Sequence, residues 1–138
     1  MGITIRNKNK SIDMGYGGFF NLRKNIAGIF SPDFKEFYEE WTKPSSKITD
    51  EEGNFKLMEF YNKGVFNDND DDILNFLFAS DCDGKISAKT CKKLYNRIRD
   101  YDDNILYGYI GRPDCAKFSD FKEIVADCAK NHLVLSWY

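Results

Sequence analysis

Residues 2–6 alternate apolar Ile3 and Ile5 with polar Thr4 and Arg6, the period-two pattern of a half-buried strand. The polar stretch 7–11 predicts a turn. Gly15, Gly17 and Gly18 follow, and then the period changes. Phe19, Leu22, Ile26, Ile29 and Phe30 recur at helical spacing, with Arg23, Lys24 and Asn25 on the other face. Ser31-Pro32-Asp33 carries a second helix start: a Ser cap, Pro at the first position and an acid at the positive dipole end. Phe34, Phe37, Tyr38 and Trp41 form its apolar face, and Pro44 closes it. Residues 44–54 predict a polar surface loop. Thr49 and Glu52 have capping-box spacing, but Gly53 favours a turn over a longer helix. Phe55, Met58, Phe60 and Tyr61 then predict a short helix ended by Gly64.

The second half continues with residues 73–78, apolar nearly all round and so the expected central buried helix. Asp81-Cys82-Asp83-Gly84 predicts a turn in which Gly84 takes a positive φ and the aspartates bond local amides. A short extended piece is expected at Lys85-Ile86. Ser87 caps a helix whose core face is Cys91, Leu94 and Ile98, extending to Tyr101. Residues 105–110 fit helix or strand, and Gly111-Arg112-Pro113 breaks the chain. Ser119 opens a helix with Phe121, Ile124, Val125 and Cys128 inward. Leu133, Leu135 and Trp137 alternate as a closing strand. The expectation is an α+β fold: a single compact domain over residues 1–138, with five to six helices around a small antiparallel sheet formed by the N- and C-terminal strands.

Composition narrows the function. Twenty basic against 22 acidic side chains give a net charge of −2, which argues against a nucleic-acid binder with its usual basic excess. Aromatic residues (12 Phe, 8 Tyr and 2 Trp) make up 16% of the chain, enough to build a core and leave rings for a ligand pocket or an exposed patch. Such a patch is compatible with a homodimer. The four cysteines contain no C-x-x-C pair and His132 is the only histidine, so no metal site is expected. No signal peptide and no long apolar run is visible, which points to reduced thiols in a cytoplasmic protein without a membrane span.

Two segments carry candidate ligand chemistry. In the first, a glycine-rich turn ahead of a helix would leave backbone N–H groups at the positive dipole end for a phosphate or carboxylate. Tyr16, Gly17, Gly18 and Asn21 would line it, and Arg23 would add a bidentate contact. The spacing matches neither the dinucleotide fingerprint nor a Walker loop. The alternative is a turn that merely seats Phe19 and Phe20 on the sheet. The second segment offers Ser80, Asp81 and Asp83. It imitates the middle of an EF-hand loop, but Ala79 and Thr90 stand where the first and last ligands belong, so calcium is not expected. If helix 73–78 packs on Phe19, Leu22 and Ile26, Asp81 approaches Arg23, as a salt bridge or as the second wall of a pocket. The acidic run Asp68, Asp70, Asp71 and Asp72 reads as capping and solvation. The lysines and arginines of 85–99 read as a solvated face, with an acidic partner as the alternative.

The stretch Ser80-Asp81-Cys82-Asp83-Gly84-Lys85-Ile86, together with residues 11–23, resembles small uncharacterised proteins of bacteria and their phages that share a Ser-Asp-Cys-acid-Gly-x-Ile/Leu turn. The resemblance implies a phage or prophage setting, where small acidic proteins act by binding. The leading expectation is therefore a non-catalytic protein that binds a nucleotide or another small anion, sequestering a host defence signal. The alternative is an interaction module that inhibits a host enzyme through the 67–72 run or the 85–99 helix. The third reading is a hydrolase-like enzyme using Asp81 and Asp83. No catalytic residue and no cofactor is assigned.

Overall fold

The alternation at the N-terminus forms β1 (Gly2–Arg6), and Ile12 and Met14 continue it in β2 (Ser11–Gly15). The structure is a computed structural model that describes residues 2–109, 111–112 and 115–138. Asn7 closes the hairpin, its side-chain oxygen accepting hydrogen bonds from the amides of Asn9 and Lys10. Register places Ile3 opposite Met14 and Ile5 opposite Ile12, with Ile3, Ile5 and Met14 buried on the same sheet face. The remaining elements are α1 (Tyr16–Phe30), α2 (Pro32–Thr42), α3 (Asp50–Asn62), a 3-10 turn (Asp68–Asp70), α4 (Asp71–Leu77), β3 (Gly84–Ile86), α5 (Ala88–Ile98), α6 (Phe118–Asn131) and β4 (Leu135–Trp137). The sheet is antiparallel throughout, in the order β2-β1-β4-β3. The two chain ends meet at its centre, as expected, and β2 and β3 flank them. Among the described residues no helix is long and apolar enough to cross a membrane.

Several boundaries differ from the sequence reading. Gly17 and Gly18 lie inside the first turn of α1, which follows β2 without a loop, so there is no glycine-rich turn. The loop expected over 44–54 ends at Thr49, whose hydroxyl caps α3 by accepting from the amide of Glu52 at 3.1 Å. Gly53 is a helical residue because the Trp41 indole lies where a Cβ would be. Gly84 is explained in the same way: its φ is not positive, and the indole of Trp137 packs directly on it. Both glycines answer a tryptophan, not a turn. On α3 it is Phe60 that turns inward, while Phe55 and Met58 are 69% and 57% exposed. α6 starts at Phe118, where the Asp120 carboxylate accepts from the amide of Lys117 at 2.9 Å. Tyr101 lies beyond the end of α5 and packs on Phe118. Residues 101–109 hold only an isolated bridge from Leu106 to Lys117. Ile110 and Pro113, part of the segments expected there, lie outside the described residues.

Two groups of rings fill the interior. Phe19, Phe76, Phe121 and Trp137 pack against the inner face of the sheet. Phe30, Phe34, Phe37, Phe60 and Phe66 join α2 to α1 and α3. α4 lies at the junction, with Ile73, Leu74, Phe76 and Leu77 all buried, which bears out its expected central place.

Candidate functional site

A helix as short as α4 leaves its last carbonyls without partners inside the helix, and here three distant side chains bond carbonyls of its last turn and of the residues that follow it. Arg23 donates through Nη1 to the carbonyls of Phe76 (3.3 Å) and Ala79 (2.8 Å). Tyr38 donates its hydroxyl to the carbonyl of Leu77 at 2.6 Å, and the Trp137 indole N–H donates to that of Ser80 at 2.9 Å. The negative end of the helix dipole favours a cation there, and the guanidinium also lies 4.4 Å above the Phe19 ring.

These contacts do not fully satisfy Arg23. The residue is 5% exposed, and its Nε is the one buried side-chain nitrogen or oxygen among the described residues without a hydrogen-bond partner. Among those residues no carboxylate forms an ion pair with it. Burial lowers its pKa, partly offset by the fields of Tyr38 and Asp81, but an arginine stays charged at neutral pH. A buried cation with an idle donor borders a cavity of about 310 Å³. Phe20, Tyr38 and Phe78 are its aromatic walls, Thr42 adds a hydroxyl, and Ser80 and Asp81 stand at the rim. The Phe20 and Tyr38 rings are stacked, and Tyr38 packs against Phe78.

The two sequence-predicted segments therefore meet, but only through part of each. Arg23, Ser80 and Asp81 line one cavity. Tyr16, Gly17, Gly18 and Asn21 sit on the first turns of α1 and do not line it; Gly17 and Asn21 are exposed, and Gly18 lies against the Tyr107 carbonyl. Asp83 is exposed on the turn, also away from the cavity. The salt bridge expected between Arg23 and Asp81 is not made, since Asp81 points from an exposed turn and the guanidinium is directed at carbonyls. Phe20, Tyr38, Thr42 and Phe78 were missed. Tyr38 and Thr42 are four residues apart, so they share a helix face, but their spacing gives no hint of what that face meets.

The Ser80 hydroxyl accepts from the Cys82 amide at 3.1 Å and orders the turn. Hydrogen bonding to Asp81 raises the pKa of the exposed Cys82 thiol, the opposite of what a thiolate nucleophile needs. Cys91 and Cys128 are buried between α5 and α6. Hydrogen bonding from Cys91, helped by Asn7, lowers the pKa of Cys128. No group of three or more His, Cys, Asp or Glu among the described residues is placed to hold a metal ion.

The acidic run and the basic helix, read separately from the sequence, meet through two ion pairs. Arg97 binds Asp70 through two hydrogen bonds of 3.1 and 2.6 Å. Lys93 pairs with Asp72 at 2.8 Å, and Asp71 accepts from the Tyr61 hydroxyl. Comparison of the chain with protein-family models, curated proteins and solved structures yields no match.

Proposed function

We propose that this protein is a non-catalytic binding protein that takes a small anionic ligand in the cavity beside Arg23. The observation that carries the reading is that Arg23, a buried cation whose Nε has no hydrogen-bond partner, is one of the residues lining that cavity. Buried polar atoms without partners are rare, and a bound ion or ligand is one of the few things that accounts for one. A carboxylate or phosphate oxygen is the acceptor that also balances the charge. The aromatic walls suit a flat group attached to the anion. A cavity of about 310 Å³ is at the small end for ligand pockets, so a mononucleotide or something smaller fits the reading better than a dinucleotide. Sequestration of a host signal, in a phage or prophage setting, is the biological form of this reading, and it rests on the resemblance of the Ser80–Ile86 turn.

Calorimetry with inorganic phosphate, a nucleoside monophosphate and an aromatic carboxylate tests it. At least one should bind, and Arg23→Met should weaken that binding by about a hundredfold, the effect of a lost charge-assisted hydrogen bond. Thr42→Val is a milder variant that leaves Arg23 in place. If no anion in the set binds at about millimolar concentration, or if Arg23→Met binds as well as the parent, the reading fails.

A further inference from the structure

A cavity roomier than the one beside Arg23 lies elsewhere. A groove of about 600 Å³ runs between α5 and α6, and it shares no lining residue with the Arg23 cavity. Its floor is made by small side chains, Ala88 from α5 and Ala126 and Ala129 from α6. Lys89 and Lys92 stand along one edge and Lys130 along the other. Lys92 follows Ala88 by four residues and Tyr95 by three more, so they form one ridge of α5 beside its core face of Cys91, Leu94 and Ile98. Asn96 and His132 complete the lining, and no acidic residue belongs to it.

The charge on this groove is unbalanced. Among the described residues the ion pairs of α5 use Lys93 and Arg97, and none involves Lys89, Lys92 or Lys130. The acidic run thus pairs with Lys93 and Arg97, while Lys89 and Lys92, which border the neighbouring cavity with Asp70 as well, form no ion pair and leave the groove edge positive. His132 marks the end of the same feature. It holds the left-handed position after α6 with φ of 57°, where glycine is the easier residue, and that conformation sets an imidazole on the groove.

We infer that the α5–α6 groove docks an acidic amphipathic helix of a partner protein. Alanines on the floor let a third helix come close, as in helix-in-groove recognition. The partner's apolar residues would lie on Ala88, Ala126, Ala129 and the Tyr95 ring, and its carboxylates would face Lys89 and Lys92 on one side and Lys130 on the other. α5 has 11 residues, or about 16 Å at 1.5 Å per residue, which matches three turns of a partner helix. Nucleic acid fits less well. The edges carry lysines and no arginine, the floor offers methyl groups to phosphates, and Asp70 and Asp72 sit on the neighbouring flank.

Fluorescence anisotropy decides between these outcomes. The probes are a synthetic three-turn peptide with leucines on one face flanked by glutamates, the same peptide with glutamine for glutamate, and a short single-stranded oligonucleotide. The acidic peptide should bind, and the glutamine peptide should bind at least about tenfold more weakly, since several lysine–carboxylate pairs are lost together. Lys89→Glu with Lys92→Glu and Lys130→Glu should abolish binding. Ala129→Trp, which fills the floor without changing charge, should do the same, while Arg23→Met should leave peptide binding unchanged. Circular dichroism establishes that each variant is folded. Equal binding of the two peptides, no binding at about millimolar protein, tighter binding of the oligonucleotide, or indifference to Ala129→Trp would each overturn the inference.

Discussion

Arg23 and Arg97 sit in nearly the same immediate setting and have been given different work. Each guanidinium lies over a phenylalanine ring, Arg23 over Phe19 at 4.4 Å and Arg97 over Phe30 at 4.9 Å. Each reaches an element remote in sequence, at or beside the two ends of α4. Arg97 meets a carboxylate there: Asp70 is 2% exposed and accepts two hydrogen bonds from the fork. Arg23 meets only carbonyls, through one nitrogen, and keeps Nε unpaired. A bidentate pair satisfies charge and geometry together, and it leaves nothing for a ligand to complete. Carbonyls satisfy hydrogen bonds without cancelling charge. The difference between a structural arginine and a binding one lies in what remains unsatisfied after folding.

Removing Arg97 should have the largest effect on stability. Arg97→Ala leaves the Asp70 carboxylate buried without a counter-charge, and urea denaturation should show a loss of about 2–4 kcal/mol. That is toward the low side for breaking a buried pair, because the arginine itself is partly exposed. Arg23→Met should cost less, about 1–2 kcal/mol, since methionine keeps the packing on Phe19 and removes an uncompensated charge while shorting two carbonyls. Should the same denaturation series rank Arg23→Met above Arg97→Ala, Arg23 would be the structural residue and the contrast would collapse.

Alkaline titration of the parent against Tyr38→Phe probes the Arg23 side, because Tyr61, Tyr101 and Tyr107 are raised as well and are common to both. Burial pushes the Tyr38 hydroxyl up to about 12, so the folded state holds its proton more tightly than the unfolded chain. The stabilisation is full below pH 10 and is lost as pH rises toward 12. The size of that loss is on the order of 2 kcal/mol. Tyr38→Phe should flatten this part of the stability–pH curve and lower stability at neutral pH by about 1 kcal/mol through the unpaired Leu77 carbonyl. An unchanged curve would show that Tyr38 is not the group responsible. The smallest effect is expected at Asp81, exposed on the cavity rim. Asp81→Asn should alter stability by less than about 0.5 kcal/mol. It should also tighten anion binding by about two- to fivefold, because a like charge leaves the rim. Weaker binding would mean that Asp81 contacts the ligand as a partner.

How far the sequence could be read depends on the range of each cause. The Ser31 and Ser87 caps, the inward faces of α2, α5 and α6 and the strands at both chain ends were legible because each follows from neighbours within a turn or two. Gly53 misled because a helical glycine looks like a breaker until Trp41 is seen above it. β2 was hidden by its glycine-rich end, although Ile12 and Met14 alternate as a strand requires. At the site, Arg23 and Asp81 were legible as unusual chemistry near a turn, while Phe20, Tyr38 and Thr42 carried no signal beyond core periodicity.

By itself the sequence determined the α+β class, most helix starts, the central place of α4 and the absence of a familiar phosphate loop. All of these rest on local propensity and hydrophobic period, which act between residues close in the chain. Only the tertiary structure decided that Asp70 answers Arg97, that Arg23 answers carbonyls and that Lys89, Lys92 and Lys130 answer nothing within the described chain. Charge and hydrogen bonding are settled between groups brought together from distant segments, 53 residues apart for Arg23 and Phe76. Which of them stay unsatisfied is a property of the packed molecule, and composition does not carry it.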